Sequence, residues 1–290
     1  MNEHDPYPSR NGSLPAMLER LDPVVYARDW SSAPLSREQI HQYDRDGFLI
    51  LDNLFSADDI RDCQREVERL RNDPALRTDP ATITEPESDE VRSIFRVHQS
   101  SPVFAALIHN PRLQQVARFL LDDDIYIHQS RVNYKPGLRG KEFYWHSDFE
   151  TWHVEDGMPR MRALSMSITL TENFSWNGSL LLIPGSQRCY VSCSGETPPD
   201  HFKSSLKKQE LGVPDDDSLQ ELASRGGIAT ATGKPGSVIV FDCNTMHGSN
   251  GNITPFPRSN VFFVFNAVSN RVGKPFGNQP PRPDYICTRD

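Results

Sequence analysis

Helical periodicity dominates the chain between residues 36 and 123. Ser36 is placed to cap a short helix that ends at Gly47. Ser56 is placed to cap a second helix, although a full capping box would need Glu or Gln where Asp59 stands. Asn110-Pro111 predicts the start of a third helix, with apolar residues at helical spacing. These patterns predict a helical segment in the first half of the chain.

Strand-like apolar runs dominate from residue 124 onwards. The dipeptide Asn177-Gly178 is typical of a hairpin turn between two such runs. Many strands that follow a group of helices favour an α+β fold, in which helices buttress an antiparallel barrel or sandwich. The apolar runs predict strands over residues 48–51, 125–134, 163–170, 179–182, 236–241 and 260–268.

We expect the whole chain, 1–290, to form one domain, because its length suits a single large core. A polar insertion with a short helix near 218–224 interrupts the strand region, and this insertion and the N-terminal arm are candidates for a lid. The expected divisions are an N-terminal arm (1–35), mainly helical support (36–123), a strand core (124–270) with the insertion (194–235), and a C-terminal tail (271–290).

Composition narrows the class of protein. The chain has 31 basic and 39 acidic residues and a net charge of −8, which disfavours nucleic-acid binding. Its apolar runs all fall well short of the roughly 20 residues that cross a bilayer, so we expect no membrane partner. The N-terminus lacks the pattern of a signal peptide, and five scattered cysteines suggest reduced thiols. We therefore expect a cytoplasmic protein.

A group of metal-binding side chains stands out in the strand region. His146 and Asp148 form a His-x-Asp pair, which is a weak signal by itself, and His247 follows a later apolar strand. Two imidazoles and one carboxylate suit Fe(II) and leave positions open for a chelating co-substrate and O2. Arg258 stands eleven residues after His247, and its planar guanidinium suits the distal carboxylate of 2-oxoglutarate.

These motifs resemble the phytanoyl-CoA hydroxylase family of Fe(II)- and 2-oxoglutarate-dependent dioxygenases. The resemblance includes His247-Gly248-Ser249, residues 177–180 and residues 184–186. The longer stretch 143–159, together with residues 5–10 and 22–26, resembles the ectoine hydroxylases within that family. The resemblance implies a double-stranded β-helix, or cupin-like jelly-roll, core. It also implies conversion of ectoine to 5-hydroxyectoine, with succinate and CO2 released, in a homodimer that serves stress protection.

The resemblance also implies roles for particular residues. Positions matching the family's motifs are iron ligands at His146, Asp148 and His247, 2-oxoglutarate contacts at Lys135, Ser249 and Arg258, and ectoine contacts at Gln129 and Trp152.

The residues themselves add to this assignment. Gln129, Arg131 and Lys135 are separated by even numbers of residues, so a strand would present them on one face, as a polar cavity requires. Trp152 offers an aromatic face to the amidinium cation of ectoine, and Arg131 offers a partner for its carboxylate. We expect Phe265 to line the same cavity.

Two other functions are compatible with the sequence. One is a hydroxylase of another small polar metabolite, and the other is a jelly-roll protein that binds a metal or ligand without turnover. A halogenase is disfavoured, because such enzymes typically lack the carboxylate ligand that Asp148 supplies. Among the other histidines, we expect His153 to hold a loop through hydrogen bonds and His201 to be solvated.

Overall fold

A computed structural model describes residues 5–85 and 88–289 of the chain. Within these ranges the helices are α1 (Arg37–Asp46), α2 (Ala57–Asn72), α3 (Pro74–Arg77), α4 (Val97–Ser100), α5 (Pro102–Ile108), α6 (Pro111–Leu121), α7 (Asp148–Thr151), α8 (Phe202–Ser205) and α9 (Asp216–Gly226). The strands are β1 (Ala16–Glu19), β2 (Phe48–Leu51), β3 (Thr82–Thr84), β4 (Val91–Phe95), β5 (Ile125–Lys135), β6 (Phe143–His146), β7 (Ala163–Thr169), β8 (Leu180–Leu182), β9 (Cys189–Ser192), β10 (Ala229–Ala231), β11 (Val238–Asp242), β12 (His247–Ser249) and β13 (Arg258–Ala267).

The strands form two main antiparallel sheets. The larger sheet has the order β2-β11-β7-β13-β5-β4-β3, and the smaller has the order β10-β8-β12-β6. Side chains from both sheets, including Leu182 and Phe241, pack in one apolar cluster between them. The fold is therefore a cupin-like jelly roll of the α+β class, as the sequence predicts.

Helices α1, α2, α5 and α6 cover the outer face of the larger sheet. Their apolar residues, such as Ile40 and Phe104, share the principal core with Val132 of β5 and Met166 of β7. Burial of such side chains is the main favourable contribution to folding, at about 25 cal/mol per Å² of apolar surface. The larger sheet therefore lies between these helices and the site described below.

The helix caps follow the predicted chemistry, with one difference. Ser36 caps α1, and Gly47 ends it with a φ of +80°. Ser56 caps α2, but the capping box is complete because the Asp59 carboxylate accepts the Ser56 backbone N–H at 3.1 Å. Asp is shorter than Glu, yet here it reaches the N–H that Glu or Gln was expected to bind.

Two local predictions were wrong. Asn177-Gly178 does form a turn, but β7 and β8 on either side belong to different sheets, so the turn is not a hairpin. The segment 71–90, whose acidic sequence is typical of a loop, contains the end of α2, helix α3 and strand β3. In both places, pairing with distant strands decides the structure, and a local pattern carries no information about such pairing.

Candidate active site

Two histidines face each other across neighbouring strands. His146 on β6 is paired in register with His247 on β12, and their ring centroids lie 4.3 Å apart. Burial and the nearby His247 lower the pKa of His146 to about 4, so its ring is neutral at pH 7. A neutral imidazole has a free lone pair and is the form that binds a metal.

Asp148 reaches the same point from the start of a helix. The chain leaves β6 at His146, Ser147 caps α7, and Asp148 is the first residue of that helix. Asp148 Oδ1 lies 3.7 Å from His146 Nε2 and 3.9 Å from His247 Nε2. Asp148 and His146 are thus brought together by a strand-to-helix turn, and the pair is not part of one continuous strand.

Hydrogen bonds outside the triad orient its three side chains. His146 Nδ1 lies 2.7 Å from the Tyr144 carbonyl, and His247 Nδ1 lies 3.0 Å from the Thr245 carbonyl. Because a carbonyl only accepts, each Nδ1 carries the proton and each Nε2 lone pair faces inward. Ser165 donates to Asp148 Oδ2 at 3.2 Å and leaves Oδ1 free.

The donor set fits a divalent metal ion. One ligand atom from each of His146, Asp148 and His247 lies within 4.8 Å of the others. Two imidazole nitrogens and one carboxylate oxygen on one face match the ligand set of non-haem Fe(II) oxygenases.

Two cations lie buried beside this triad. Lys135 of β5 and Arg258 of β13 are register partners, 1% and 3% exposed, and neither forms an ion pair within the described residues. Lys135 Nζ donates to Ser249 Oγ at 2.8 Å, whereas Arg258 Nε and Nη1 have no hydrogen-bond partner. Buried polar groups are rarely left unpaired, so this arrangement indicates a site for an anion.

The pKa values reflect the same crowding of positive charge. Burial and the neighbouring Arg258 lower the pKa of Lys135 well below its ordinary value, and burial lowers the pKa of Arg258 to about 10. A carboxylate placed between the two cations would relieve both effects.

A cavity opens in front of His146 and Asp148. Gln129 and Arg131 of β5 line it together with Trp152, whereas Lys135, which was predicted on the same face of β5, is not among the lining residues. Arg131 donates to Gln129 Oε1 and lies over the Phe262 ring, 4.9 Å from its centroid. The further lining residues are Ser93, Phe95, Phe143, Thr151, Glu155, His201, Ser205, Leu206, Gln209 and Arg282.

The insertion covers this cavity, and His201 holds it there. His201 is 8% exposed, and its Nδ1 lies 2.9 Å from Glu155 Oε1, so the expectation that it is solvated was wrong. Arg10 of the N-terminal arm binds the same carboxylate, with Nη1 2.5 Å from Glu155 Oε1. The solvated histidine that the polar sequence suggested is buried because the insertion folds back onto the site.

Three residues remain to be placed. Phe265 is fully buried in the core shared with the helices and is not among the residues lining this cavity, so its substrate role stays a prediction. His153 holds a loop as expected, with Nδ1 2.7 Å from the Met158 carbonyl. Arg282, in the C-terminal tail, lines the cavity but was missed, because no local pattern around it marks a binding residue.

A jelly roll that carries this triad beside a buried cationic pair defines the class of Fe(II)- and 2-oxoglutarate-dependent dioxygenases. The chain belongs to the phytanoyl-CoA dioxygenase family, whose model matches residues 43–260.

Similar proteins are closely related to this chain over nearly its whole length. An ectoine dioxygenase from Sphingopyxis alaskensis is 60% identical over 285 residues, which cover 98% of this chain and 93% of that protein. An ectoine dioxygenase from Stutzerimonas stutzeri is 55% identical and covers 99% of this chain and 95% of its own length.

The crystal structure of EctD from S. alaskensis with 2-oxoglutarate and 5-hydroxyectoine has a TM-score of 0.90 to this chain. It is 55% identical and covers 98% of this chain and 95% of its own.

More distant structures share the fold alone. The α-ketoglutarate-dependent carbocyclase SnoK from nogalamycin biosynthesis is 17% identical, with a TM-score of 0.67, and covers 86% of this chain and 89% of its own.

Proposed function

We propose that this protein hydroxylates ectoine to 5-hydroxyectoine, with Fe(II), 2-oxoglutarate and O2, and releases succinate and CO2. The observation that carries the proposal is the His146–Asp148–His247 triad beside the buried cations Lys135 and Arg258, neither of which forms an ion pair within the described residues. The similarity to EctD, whose crystal structure holds 2-oxoglutarate and 5-hydroxyectoine, supports the choice of substrate.

In this proposal, His146, Asp148 and His247 hold the iron through Nε2, Oδ1 and Nε2. Bound iron supplies the activation of O2 that is coupled to oxidative decarboxylation of 2-oxoglutarate. The protein contributes the fixed imidazole orientations described above and a cavity that excludes water from the reacting atoms.

The cationic pair binds the co-substrate. Arg258 offers two unpaired guanidinium nitrogens to the distal carboxylate of 2-oxoglutarate, and Ser249 and Lys135 complete the polar end of the pocket. Because these groups are buried, each hydrogen bond to the carboxylate forms in a low-dielectric surrounding and contributes more than it would in water.

The wall of the cavity that carries Trp152 and Gln129 binds ectoine. Trp152 presents its ring to the amidinium, and Gln129 Oε1 accepts a ring N–H. Arg131 and Arg282 both line the cavity and offer positive charge to the ectoine carboxylate. Phe265 is a further proposed substrate contact.

The test is product identification. Purified protein with Fe(II), 2-oxoglutarate, O2 and ectoine should form succinate and 5-hydroxyectoine in equal amounts, and Asp148→Ala should abolish both. Turnover of other small polar metabolites in preference to ectoine would indicate a different hydroxylase. Iron binding without succinate formation would indicate a binding protein.

The wider assignments are also proposals. We propose that the whole chain acts as one dioxygenase domain, forms a homodimer and works in the cytoplasm, where its product protects against osmotic and heat stress. Five unpaired cysteines support a reducing compartment. Light scattering that gives the 32.9 kDa mass of one chain, and not twice that mass, would contradict the dimer.

A further inference from the structure

Asp156 is the last residue of the π-helix Trp152–Asp156, and its side chain is completely buried. It forms a bidentate ion pair with Arg282, in which Nε lies 2.8 Å from Oδ1 and Nη2 lies 2.5 Å from Oδ2. Burial alone would raise the pKa of Asp156, but Arg282 outweighs it, so the carboxylate stays ionised. Removal of one partner from a buried ion pair of this kind strongly destabilises the folded protein, because the other charge is left buried and unpaired.

This ion pair joins the C-terminal tail to the wall of the cavity that contains Trp152. Arg282 also lines the cavity, and its Nη1 makes no hydrogen bond within the described residues. Four residues further on, the Ile286 carbonyl accepts from Gln129 Nε2 at 3.0 Å. The tail thus contacts the same wall at two points, one charged and one neutral.

His128 extends this contact to Trp152. Its Nε2 lies 3.2 Å from Asp156 Oδ2, and its ring meets the Trp152 ring edge-on, with centroids 5.1 Å apart. The backbone N–H of Thr288 donates to the His128 carbonyl at 2.7 Å. Asp156 therefore lies at the junction of the tail, β5 and the π-helix that carries Trp152.

A group of side chains around Asp156 resembles a second metal site, but the chemistry of these side chains argues against one. His128, Asp156 and Cys287 have ligand atoms within 4.8 Å of one another. Both oxygens of Asp156 are already bound by the Arg282 guanidinium, which supplies the positive charge that a metal would bring. Burial also raises the pKa of the Cys287 thiol far above its ordinary value, so a thiolate ligand is disfavoured.

We propose that Asp156 is a positioning residue for the substrate cavity: it holds Arg282, and with it residues 282–288, against the wall formed by Gln129 and Trp152. The inference rests on the proposed function, because it assigns these residues to ectoine binding. Asp156 touches neither the metal ligands nor the cavity, so its effect passes through Arg282.

The test is Asp156→Asn, which keeps the shape of the side chain and removes its charge. We expect the KM for ectoine to rise about ten- to a hundredfold, the range that loss of a charge-assisted pair produces. The KM for 2-oxoglutarate should change by less than about twofold, because Lys135 and Arg258 lie at the other end of the site. Calorimetry of ectoine binding without O2, in the presence of Fe(II) and 2-oxoglutarate, should show the same loss of affinity.

Asp242→Asn is the matched control. Asp242 forms a buried ion pair with Arg20, with Nη1 2.6 Å from Oδ1 and Nη2 3.0 Å from Oδ2, away from the cavity. Its substitution should lower the melting temperature and leave the KM for ectoine unchanged. A purely structural role for Asp156 predicts that both variants behave alike.

Arg282→Gln and the double variant decide whether Asp156 acts through Arg282. We expect Arg282→Gln to raise the KM for ectoine, and Asp156→Asn in that background to add less than about twofold. The double variant has no unpaired charge, so it can be compared with Arg282→Gln even if Asp156→Asn alone is too unstable to purify. A further rise of tenfold or more in the double variant, or an unchanged KM in Arg282→Gln, would overturn the proposal. Failure of wild-type protein to form 5-hydroxyectoine would instead overturn the proposed function.

Discussion

Backbone carbonyls settle the orientation of both histidines in the metal centre. The Tyr144 and Thr245 carbonyls each lie two residues before the histidine that they bind, so the neighbouring backbone selects the tautomer. This local arrangement needs no contribution from distant parts of the chain. The short motifs suggested the ligand set, and the resemblance to the family assigned it.

Arg258→Lys tests the anion site. Lys keeps the charge but loses the planar fork, so we expect the KM for 2-oxoglutarate to rise roughly ten- to a hundredfold, equivalent to about 1.5–3 kcal/mol. The KM for ectoine should change little. Steady-state kinetics measure both values, and Arg20→Lys, at a buried pair outside the cavity, serves as the matched control. An unchanged KM for 2-oxoglutarate would remove Arg258 from the site.

Trp152 both packs in the core and lines the cavity, so its substitution needs care. It is 2% exposed and packs with Phe149 and Met158, and replacement by Ala would create a cavity that costs about 3–5 kcal/mol. Trp152→Leu keeps most of the apolar volume and removes the aromatic face.

For Trp152→Leu we expect the KM for ectoine to rise about two- to thirtyfold, as loss of a cation–π contact predicts. Succinate should then exceed 5-hydroxyectoine, because 2-oxoglutarate is still consumed when ectoine is badly placed. Both products are measured in one reaction, beside a melting curve. Trp30→Leu, at a half-buried position of the N-terminal arm that packs against the principal core, is the control. Equal amounts of the two products would argue against the substrate role of Trp152.

At the scale of elements, the short segment 148–157 contributes Asp148 to the triad and Trp152 to the cavity. Helix α7 starts at Asp148, the π-helix starts at Trp152, and Gly157 ends the segment with a φ of +82°. A π-helix is rare, and such turns occur frequently at functional sites. Here it places Glu155 towards the insertion and Asp156 towards the tail.

Gly157→Ala should shift this segment and lower both stability and activity. A Cβ at this position would lie 2.6 Å from the carbonyl oxygens of Gly273 and Lys274, in addition to the strain of the positive φ. We expect a loss of about 2–4 kcal/mol in unfolding free energy. Gly185 has a φ of +81° with its nearest atom at 3.9 Å, so Gly185→Ala should cost only about 1 kcal/mol. Equal losses would show that crowding at Gly157 is unimportant.

The sequence predicted elements best where the signals are local. Helices α1, α2 and α6, and strands such as β5, follow from caps and periodicity. Segment 148–157 was recognised by its motif, but its π-helical form was not. The hydrogen bond between Gln129 and Ile286 joins residues 157 positions apart, and no pattern in either segment indicates it. For the same reason the tail's part in the cavity was missed.

At the scale of the whole molecule, three distant parts of the chain meet beside the cavity. The arm contributes Arg10, the insertion contributes His201, and the tail contributes Arg282. All three meet the adjacent acids Glu155 and Asp156. Among the residues that the structure describes, none of the helices combines the length and apolar character needed to span a bilayer.

The fold should lose stability in mild acid, and His98 should contribute to this loss. Burial, together with Arg96, lowers the pKa of His98 from 6.5 to about 4. Between these values the unfolded chain binds a proton at this position and the folded chain does not, so stability falls as the pH falls through this range.

We expect His98→Gln to reduce the loss of unfolding free energy between pH 6.5 and pH 4.5 by about 1–2 kcal/mol, after allowance for partial solvent screening. Denaturant titrations at several pH values measure this difference. His41→Gln, at an exposed position, should leave the pH dependence as it is in the wild type. A pH dependence of His98→Gln that matches the wild type would show that His98 does not contribute.

Lys135 and Arg258 also make the stability of the fold depend on the co-substrate. These two buried cations form no ion pair within the described residues and repel each other, and a dicarboxylate that binds only the folded chain weakens this repulsion. By mass action, 2-oxoglutarate at a hundred times its Kd should stabilise the fold by about 2.7 kcal/mol. Melting curves should therefore rise with 2-oxoglutarate, and less with acetate, which reaches only one end of the pocket. The cell's supply of this dicarboxylate would then determine how long the protein survives as well as how fast it works.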